Sequence, residues 1–352
     1  MFNQEIWENR RVLITGHTGF KGSWLSFWLT QLGAKVIGYA LDPLKDPNLF
    51  NVLDNHKRII DHRKDIRDLV TLEKIIQSAQ PEIIIHMAAQ SLVRESYKDP
   101  VGTYETNVLG TVNILEASRK CDSIRVILVI TSDKCYENRE IDYKYSESDP
   151  MGGYDPYSSS KGCAELITSA YARSFFDDST SVTVASARAG NVIGGGDWAL
   201  DRIIPDAMRA FSENNTLQVR HPASIRPWQH VLEPLSGYII LCEKMWDQPS
   251  NFSEGWNFGP KDESVRTVQD VTDKISELWD DHAVWKRSDG NHPHEATLLK
   301  LDITKAREQL GWEPKWVLET ALEKTVSWYK GYYNGENVLK MSLMQIEEYQ
   351  IS

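Results

Sequence analysis

The sequence is poor in cysteine and lacks long hydrophobic runs. Its 352 residues include four cysteines, at positions 121, 135, 163 and 242, and no two of them form a CxxC pair. This number and spacing argue against both a disulfide framework and a zinc site, so we expect no metal. No stretch approaches the ~20 apolar residues that a membrane-spanning helix needs. The first residues, MFNQEIWENRR, lack the apolar core of a secretory signal, and we therefore expect a cytoplasmic protein.

Positive charge is also in short supply. Lysine and arginine number 39 against 50 aspartates and glutamates, which gives a formal net charge of −11. A general nucleic-acid-binding protein carries a basic face, so this balance argues against that class, although a local basic pocket could still hold a small anion. We expect no membrane partner. At about 150 residues per domain, the length predicts roughly two domains, with enough buried surface to fold without disulfides.

The first half of the chain alternates short apolar runs with helical patterns. Apolar runs predict strands at Arg11–Thr15, 35–41, 82–86, 124–131 and 181–188. Helical patterns cover 24–32, 69–79, 103–119 and 156–176. This alternation predicts an α/β, Rossmann-type, doubly wound parallel sheet. The pattern changes after residue 188, where shorter helices and polar loops predict a smaller mixed α/β C-terminal substrate-binding lobe.

The predicted domain boundaries follow from this change of pattern. The NAD-binding Rossmann domain covers residues 1–188, and residues 227–256 are expected to return to it. The substrate-binding lobe covers 189–226 and 257–335. Residues 336–352 form a C-terminal tail, either a helical cap or a frayed end.

A glycine-rich turn, TGHTGFKG at residues 15–22, is the strongest local signal. It lies directly after a predicted strand and before a predicted helix, which is the context of a dinucleotide-binding fingerprint rather than of an ordinary strand–helix turn. Gly16 would make the tight turn, Gly19 would let the backbone approach a pyrophosphate, and Gly22 would let the helix pack closely on the sheet. The helix N-terminus offers N–H groups to the phosphates.

Two acidic positions predict where the adenosine end of a dinucleotide lies. Asp42 follows the second strand, 20 residues after Gly22, and is placed to accept hydrogen bonds from the ribose hydroxyls. A carboxylate there repels a 2′-phosphate, which favours NAD over NADP, although Lys45 nearby weighs the other way. Asp65, with Ile66, follows the third strand and is expected to border the adenine; a simple turn aspartate is an equal alternative.

A tyrosine and a lysine four residues apart, Tyr157 and Lys161, lie on one face of a predicted helix. A lysine ammonium beside a phenol favours the phenolate, so we expect a lowered pKa for the tyrosine. Tyr157 would then remove a hydroxyl proton while Ser132, at the end of the preceding strand, hydrogen-bonds the same oxygen. Alone the YxxxK spacing is common; its weight comes from following the glycine-rich turn at this distance.

Together these residues resemble the extended short-chain dehydrogenase/reductase superfamily. Longer motifs are similar to those of the nucleotide-sugar 4,6-dehydratases. They are TGHTGFKGSWL at 15–25, TSDKCY at 131–136, PMGGYDPY at 150–157, GNVIGGGDW at 190–198, SIRPWQH at 224–230 and NHPHE at 291–295. The resemblance covers most of the chain and implies an NAD-dependent hydro-lyase, with CDP-D-glucose as the substrate. Beyond the positions above, it implies that the cofactor contacts include Thr18, Phe20, Lys21, Ala88, Gln90 and Thr106.

The resemblance also implies a reaction and roles for two further residues. C4 of the sugar is oxidised, water leaves across C5 and C6, and the hydride taken from C4 returns to C6, so NAD is recycled. Asp133 would be the acid for the departing 6-hydroxyl, kept protonated by an enclosed setting. Lys134 stands where the thymidine-nucleotide branch has a glutamate base. It would act either as a neutral base for the C5 proton or as a charged stabiliser of the enolate.

The substrate-binding residues implied by the resemblance are Arg94, Asn191, Trp198, Arg202, Arg226, His230 and His294. Arginines bind diphosphate oxygens well, but each of these residues has an alternative role in structural ion pairs or packing. For Arg226 binding is favoured, for His294 the two roles are even, and for Trp198 packing is equally plausible.

Two other classes of function remain open. One is a related enzyme, such as a 4-epimerase or a dehydratase for another nucleotide; an epimerase needs no acid/base pair after Ser132, so Asp133 and Lys134 favour dehydration. The other is a non-catalytic NAD-binding protein. The resemblance further implies a homodimer or homotetramer formed through the 103–119 and 156–176 helices, and a product that feeds cell-surface polysaccharide synthesis such as that of O-antigen.

Overall fold

The computed structural model describes residues 2–43, 45–177, 180–280, 282–288 and 298–352. Its strands are β1 (Arg11–Thr15), β2 (Lys35–Ala40), β3 (Ile60–Arg63), β4 (Ile83–His86), β5 (Val126–Ile130), β6 (Lys144–Tyr145), β7 (Thr183–Ala189), β8 (Val192–Ile193), β9 (Leu217–Val219), β10 (Ile225–Pro227), β11 (Gln229–His230), β12 (Gly255–Phe258), β13 (Val265–Thr267), β14 (Trp285–Arg287) and β15 (Lys300–Leu301).

Its α-helices are α1 (Gln4–Trp7), α2 (Phe20–Gln31), α3 (Leu49–Val52), α4 (Leu69–Ala79), α5 (Val93–Lys98), α6 (Pro100–Tyr104), α7 (Gly110–Ser118), α8 (Pro156–Phe175), α9 (Ile203–Ser212), α10 (Leu232–Asp247), α11 (Val268–Trp279), α12 (Leu318–Tyr333) and α13 (Val338–Ile351).

A seven-stranded parallel sheet forms the centre of the molecule, in the order β12-β7-β5-β4-β1-β2-β3. Its inner strands are almost entirely apolar because helices cover both faces. In β1, Val12 and Ile14 join the larger apolar core, whereas Leu13 points to the other face and joins a second core. The predicted doubly wound α/β sheet is therefore confirmed, and the carboxyl ends of its strands form one edge.

Most predicted helices agree closely with the structure. α4 has the predicted bounds, and α8 begins at Pro156 because the Asp155 side chain caps it by accepting a hydrogen bond from Ser158 N at 2.9 Å. The long helix predicted over 103–119 differs in detail. It begins earlier, at Pro100, and a π-helical turn over Glu105–Leu109 separates α6 from α7. Such turns often occur at functional sites.

Beyond β7 the chain builds two-stranded pairs and helices around the end of the sheet. The pairs are β8 with β11, β9 with β14, β10 with β13 and β6 with β15. Part of the later chain returns to the sheet as β12, which pairs with β7. The tail takes the helical form: in α13, Tyr349 is buried, and its hydroxyl donates to Glu233 Oε2 at 2.6 Å. The domain division as a whole stays a prediction.

None of the helices in the described ranges is long and apolar enough to cross a membrane. The four cysteines are free thiols, three of them buried. In the same ranges, no three His, Cys, Asp or Glu side chains come together as a metal site would require.

Candidate active site

The glycine-rich turn brings β1, α2 and the end of β4 into close contact. Gly16 has φ +74°, and a Cβ on it would lie 2.7 Å from the backbone nitrogen of Ala88. A Cβ on Gly22 would lie 2.2 Å from the carbonyl oxygen of Gly16. Both distances are shorter than a real side chain allows, so these two positions require glycine, one for the turn and one for helix packing.

The N-terminus of α2 follows directly on the glycine-rich turn. Gly19 caps the helix without a side chain, so no side-chain oxygen occupies the N–H groups of its first turn. Free N–H groups and the helix dipole suit a pyrophosphate. Thr18 lies at this turn with its hydroxyl donating to the Leu41 carbonyl at 3.0 Å, and Phe20 packs beside Gly194. This donor set and glycine cradle fit NAD.

Asp42 is largely exposed just after β2, and its contact with a ribose stays a prediction. Its neighbour is Arg63 at the end of β3, with Nη1 3.4 Å from Asp42 Oδ1. Arg63 also donates to Asp61 at 2.8 Å, and Asp61 in turn lies 2.8 Å from Nε2 of the buried His17. Burial lowers the pKa of His17. Arg63 was not predicted as a site residue, because it lies at the end of β3 and the spacing used for Asp42 concerns only the second strand.

The two predicted adenine-side residues have structural partners. The Asp65 carboxylate pairs with Arg67 at 2.6 Å, which is the turn role left open as the alternative. The Ile66 side chain is buried in the second core against Gly110, and a contact of this residue with the adenine stays a prediction. The Tyr39 hydroxyl donates to the Asp65 carbonyl at 2.9 Å and holds this turn in place.

Gln90 shapes the loop after β4 with its side chain. Its side-chain amide donates to Thr103 Oγ1 at 3.0 Å, and its side-chain oxygen Oε1 accepts from Leu92 N at 2.6 Å. Asn107, on the π-helical turn, accepts from Gln90 N at 2.8 Å and donates to the Gln90 carbonyl at 3.0 Å. The sequence analysis missed Asn107. Thr106 precedes it and is half-buried, and its contact with a cofactor stays a prediction.

The four residues expected to act at C4 and C6 come together between β5 and α8. Ser132 and Asp133 follow β5, and the Ser132 hydroxyl donates to Asp133 Oδ1 at 2.9 Å. Tyr157 and Lys161 lie on the first turns of α8, and Lys161 Nζ donates to the Ile130 carbonyl at 3.3 Å. Exposure is only 8% for Tyr157, 6% for Lys161 and 3% for Asp133, so water is largely excluded from the cluster.

Burial dominates the ionisation of Tyr157 and Lys161. It raises the pKa of Tyr157 to about 12, with Ser132 and Arg202 acting in the opposite direction. It lowers the pKa of Lys161 to about 8. The pKa of Tyr157 is therefore raised and not lowered as expected, because desolvation outweighs the neighbouring charges; Lys161 is hydrogen-bonded to a main-chain carbonyl.

Asp133 has the character of a general acid. Burial raises the pKa of its carboxyl group, opposed by the nearby charge of Lys134, the Ser132 hydrogen bond and the charge of Arg226. A Cβ on Gly190 would lie 2.9 Å from Asp133 Oδ2, so this glycine leaves room for the carboxyl group. The enclosed setting predicted for Asp133 is present in the structure. Lys134, next to it, is half-buried.

Lys21 lies closer to this cluster than its place in the glycine-rich turn suggests. Its Nζ is 3.5 Å from the hydroxyl of Tyr238 on α10. Burial lowers the pKa of Lys21 to about 8, assisted by the charges of Lys161 and Arg202. Tyr238 has no motif around it that would have singled it out in the sequence. The cluster is thus richer in cations than the motifs alone indicate.

The three predicted arginines flank this cluster. Arg202 pairs with the buried Asp197 at 2.8 Å and remains about one-third exposed. Arg94 pairs with Asp201 at 3.0 Å. Arg226 lies on β10, near enough to lower the pKa of Asp133. Arg94 and Arg202 therefore have the ion pairs foreseen as alternatives, and Arg202 also lies within electrostatic reach of Tyr157.

Two predicted substrate contacts are corrected to packing. Trp198 is 6% exposed and packs edge-on against Tyr332, with ring centroids 5.0 Å apart. His230 is fully buried on β11, 4.9 Å from the ring of Trp316, and its Nδ1 accepts from Leu232 N. Burial lowers the pKa of His230 to about 3. Motif membership did not reveal that both rings point into the core.

The last two predicted substrate contacts are Asn191 and His294. Asn191 is half-buried at the edge of the second lobe, and its carbonyl accepts from Gln229 N at 3.2 Å. His294 lies outside the described residues, together with the rest of the NHPHE segment.

A parallel doubly wound sheet, a glycine-rich turn and a Ser–Tyr–Lys set at the carboxyl edge define an extended short-chain dehydrogenase/reductase. The chain matches the family described as GDP-mannose 4,6 dehydratase over residues 13–325, and it belongs to that family.

Named relatives agree with this membership. The chain is 52% identical to a CDP-glucose 4,6-dehydratase of Salmonella typhimurium, an alignment that covers 99% of this chain and 98% of the relative. Two solved structures share the fold. A dTDP-glucose 4,6-dehydratase of Bacillus anthracis in complex with NAD has a TM-score of 0.77 at 23% identity, over 94% of this chain and 99% of that one. A UDP-glucose 4-epimerase of Thermotoga maritima with UDP-glucose has a TM-score of 0.79 at 23% identity, over 92% and 99%.

Proposed function

We propose that this chain is a hydro-lyase that converts CDP-D-glucose into CDP-4-dehydro-6-deoxy-D-glucose and water. The observation that carries the proposal is the buried acid Asp133, joined by a hydrogen bond to Ser132 and enclosed with Tyr157 and Lys161. A 4-epimerase does not need such an acid, because no hydroxyl group leaves the sugar during epimerisation. The 52% identity to the Salmonella typhimurium enzyme supports CDP-glucose as the particular nucleotide sugar.

NAD is the cofactor, and several features of the chain would hold it. The first turn of α2 would bind the pyrophosphate, Asp42 the adenosine ribose, and the loop shaped by Gln90 and Asn107 the middle of the dinucleotide. A bound NAD would supply the hydride acceptor for oxidation at C4 and the hydride donor for reduction at C6.

The oxidation half of the reaction belongs to Tyr157, Ser132 and Lys161. Tyr157 takes the proton of the 4-hydroxyl as a general base while Ser132 hydrogen-bonds the same oxygen. Because burial raises the pKa of Tyr157 to about 12, the phenolate needs positive charge close by when the reaction begins. The ammonium of Lys161, one helical turn further on, is one source of that charge.

The elimination half belongs to Asp133 and Lys134. A protonated Asp133 would give its proton to the departing 6-hydroxyl, and its burial favours that state by raising the pKa of the carboxyl group. Lys134 acts at C5, where the 4-ketone has made the hydrogen acidic. As a neutral amine it would remove the C5 proton; as an ammonium it would stabilise the enolate while another group takes that proton.

Arginines close to the catalytic cluster would bind the sugar nucleotide. We assign the diphosphate to Arg202 and Arg226, which lie within electrostatic reach of Tyr157 and Asp133, and we keep Arg94 and Asn191 as further substrate contacts. A guanidinium presents paired donors that match phosphate oxygens, and these cations lie in a protein of net charge −11. His294 remains a candidate for this role from its motif alone.

We further propose a homodimer or homotetramer formed through α6, α7 and α8. Large apolar side chains are exposed on these helices: Val101 by 66%, Leu109 by 54% on the π-helical turn between them, and Leu166 by 61%. Exposed apolar groups gathered on neighbouring helices suit an interface. The four free thiols suit a reducing compartment, and we place the enzyme in the cytoplasm.

One assay tests the function. The protein with NAD is incubated with CDP-, UDP-, GDP- and TDP-glucose without added reductant, and alkali-induced ultraviolet absorbance reports the 4-keto-6-deoxy sugar. We expect ketone from CDP-glucose well ahead of the others. An epimerised sugar without that absorbance, or no conversion of any substrate, would contradict the proposal.

A further inference from the structure

A buried ion pair lies directly behind the catalytic cluster. Glu165 on α8 and Arg188 on β7 are joined at 2.7 Å, and their side chains are only 4% and 5% exposed. A charge pair removed from water to this degree is costly unless its remaining hydrogen-bonding groups are satisfied. The proposed reaction makes no direct use of either residue.

The Glu165 carboxylate collects hydrogen bonds from two strands of the sheet. Oε1 accepts from the hydroxyl of Thr131, and Oε2 accepts from Ser186 Oγ at 2.6 Å as well as from Arg188. Thr131 is the residue immediately before Ser132. Glu165 therefore joins α8 to the end of β5 at the point from which Ser132 and Asp133 extend.

Lys161 makes the neighbouring connection between the same two elements. It lies one helical turn before Glu165 on α8, and its Nζ donates to the Ile130 carbonyl at 3.3 Å. Ile130, the last residue of β5, and Thr131, which follows it, are thus bound by residues four apart on one helix face. The two links fix the distance between the Ser132 side of the cluster and the Tyr157 side.

Arg188 holds Glu165 in this position. Its Nη1 donates to the Tyr136 hydroxyl at 2.6 Å, and that hydroxyl donates to Asn257 Oδ1 at 2.7 Å. A Cβ on Gly255 would lie 2.2 Å from Arg188 Nη2, so the strand beside Arg188 leaves just enough room for the guanidinium. These contacts restrict the rotamer of the arginine.

We infer that Glu165, held by Arg188, is a positioning residue that joins the end of β5 to the helix bearing Tyr157 and Lys161 and supplies the counter-charge of the Lys161 ammonium. The inference rests on the proposed function, because it assigns Glu165 a part in the same oxidation step. It differs from a purely structural ion pair, which would affect folding but not the ionisation of Lys161.

The charges around Lys161 decide in which direction its pKa changes when Glu165 is replaced. Glu165 on its own helix and Cys135 after β5 raise the pKa of Lys161, while burial, the largest influence, lowers it to about 8. Lys21 on α2 and His86 on β4 also lie within electrostatic reach of it. Removing the negative charge of Glu165 lowers the pKa of Lys161 further, so the ammonium is lost at a lower pH.

The test compares kcat and KM against pH for wild type and Glu165→Gln. We expect kcat to fall about tenfold or more, KM for CDP-glucose to change little, and the basic limb of kcat to move down by about one pH unit. Glu165→Asp keeps the charge and should return the limb to its wild-type position. Glu233→Gln is the matched control: Glu233 is a buried helical glutamate that binds Trp316 N and Tyr349, and its loss should leave the limb in place.

Glu165→Gln leaves the Arg188 charge buried without its partner and can prevent folding. The double variant Glu165→Gln with Arg188→Gln removes both charges, and it should fold and still show the shifted limb. A limb at the wild-type pH in the folded variants would overturn the inference, whatever the loss in kcat.

A second readout separates this inference from the proposed function. Carbon-13 NMR of labelled lysine side chains in the cofactor-free protein, with Lys161 assigned from a Lys161→Met sample, follows its ionisation directly. We expect a lower titration midpoint in Glu165→Gln. An inactive wild type would contradict the proposed function alone, whereas an unchanged midpoint would contradict the role of Glu165 alone.

Discussion

Replacing Asp133 by asparagine should stabilise the protein while stopping the reaction after its first half. The substitution keeps the shape of the side chain, and the amide oxygen can still accept the hydrogen bond that Ser132 Oγ makes at 2.9 Å. What it removes is the acidic proton. Because Asp133 is 3% exposed, the same change also removes a buried ionisable group.

The expected gain in stability follows from the raised pKa of Asp133, whose main cause is burial. A carboxyl group with a higher pKa in the folded than in the unfolded chain binds more protons when folded, so its contribution becomes unfavourable as the pH rises above the unfolded value near ~4. An asparagine carries no such cost. We expect a higher free energy of unfolding for the variant at neutral pH and little difference from wild type below about pH 4.

The expected loss of activity is confined to elimination. With the acid gone, departure of the 6-hydroxyl should slow by about 10²–10⁴-fold. C4 oxidation should continue, because Tyr157, Ser132 and Lys161 are unchanged. Mass spectrometry after rapid quenching distinguishes a ketone that keeps its 6-hydroxyl from the dehydrated ketone.

Chemical denaturation at two pH values and the quench assay complete the experiment. Asp122→Asn serves as the control, since Asp122 is exposed and should change neither stability nor rate. The reasoning is refuted if Asp133→Asn forms dehydrated ketone at nearly the wild-type rate. It is also refuted if the variant is destabilised equally at neutral and acid pH.

Four further predictions concern other parts of the molecule. Tyr157→Phe should lower turnover by about 10²–10⁴-fold and abolish both ketones in the quench assay; a normal rate would point to a non-catalytic NAD-binding protein. Lys134→Glu should slow elimination by at least about tenfold, and near-normal rates would contradict any role specific to lysine. Asp42→Ala should raise the KM for NAD about tenfold because one charge-assisted hydrogen bond is lost, whereas the KM for the sugar nucleotide should stay unchanged. Leu166→Glu, on the exposed face of α8, should shift the light-scattering mass toward that of a 40.2 kDa monomer, and an unchanged mass would place the interface elsewhere.

Features with a strong local cause could be predicted from the sequence. α4 has its predicted bounds because its apolar spacing and its N-cap, Asp68, agree. The glycine-rich turn was recognisable because Gly16 and Gly22 are required by contacts within a few residues or with the adjacent strand. Tyr157 and Lys161 share a face because helical spacing alone places them there.

Features that depend on distant partners could not be predicted in this way. Trp198 and His230 belong to motifs, but their rings point into the core because of residues on α12 and in the segment just before it, which lie far along the chain. The π-helical turn at Glu105–Leu109 has no signature in its composition. Electrostatics was the least predictable property: charge spacing suggested a lowered pKa for Tyr157, whereas desolvation by the surrounding fold raises it.

Transfer of the C4 hydrogen to C6 within one turnover is the most direct consequence of the proposed reaction. CDP-glucose labelled with deuterium at C4 is incubated with the protein and unlabelled NAD, and the product is examined by NMR and mass spectrometry. We predict that the deuterium appears in the C6 methyl group of the 4-keto sugar. Deuterium that stays at C4, or a C6 methyl group without it, would contradict the assignment.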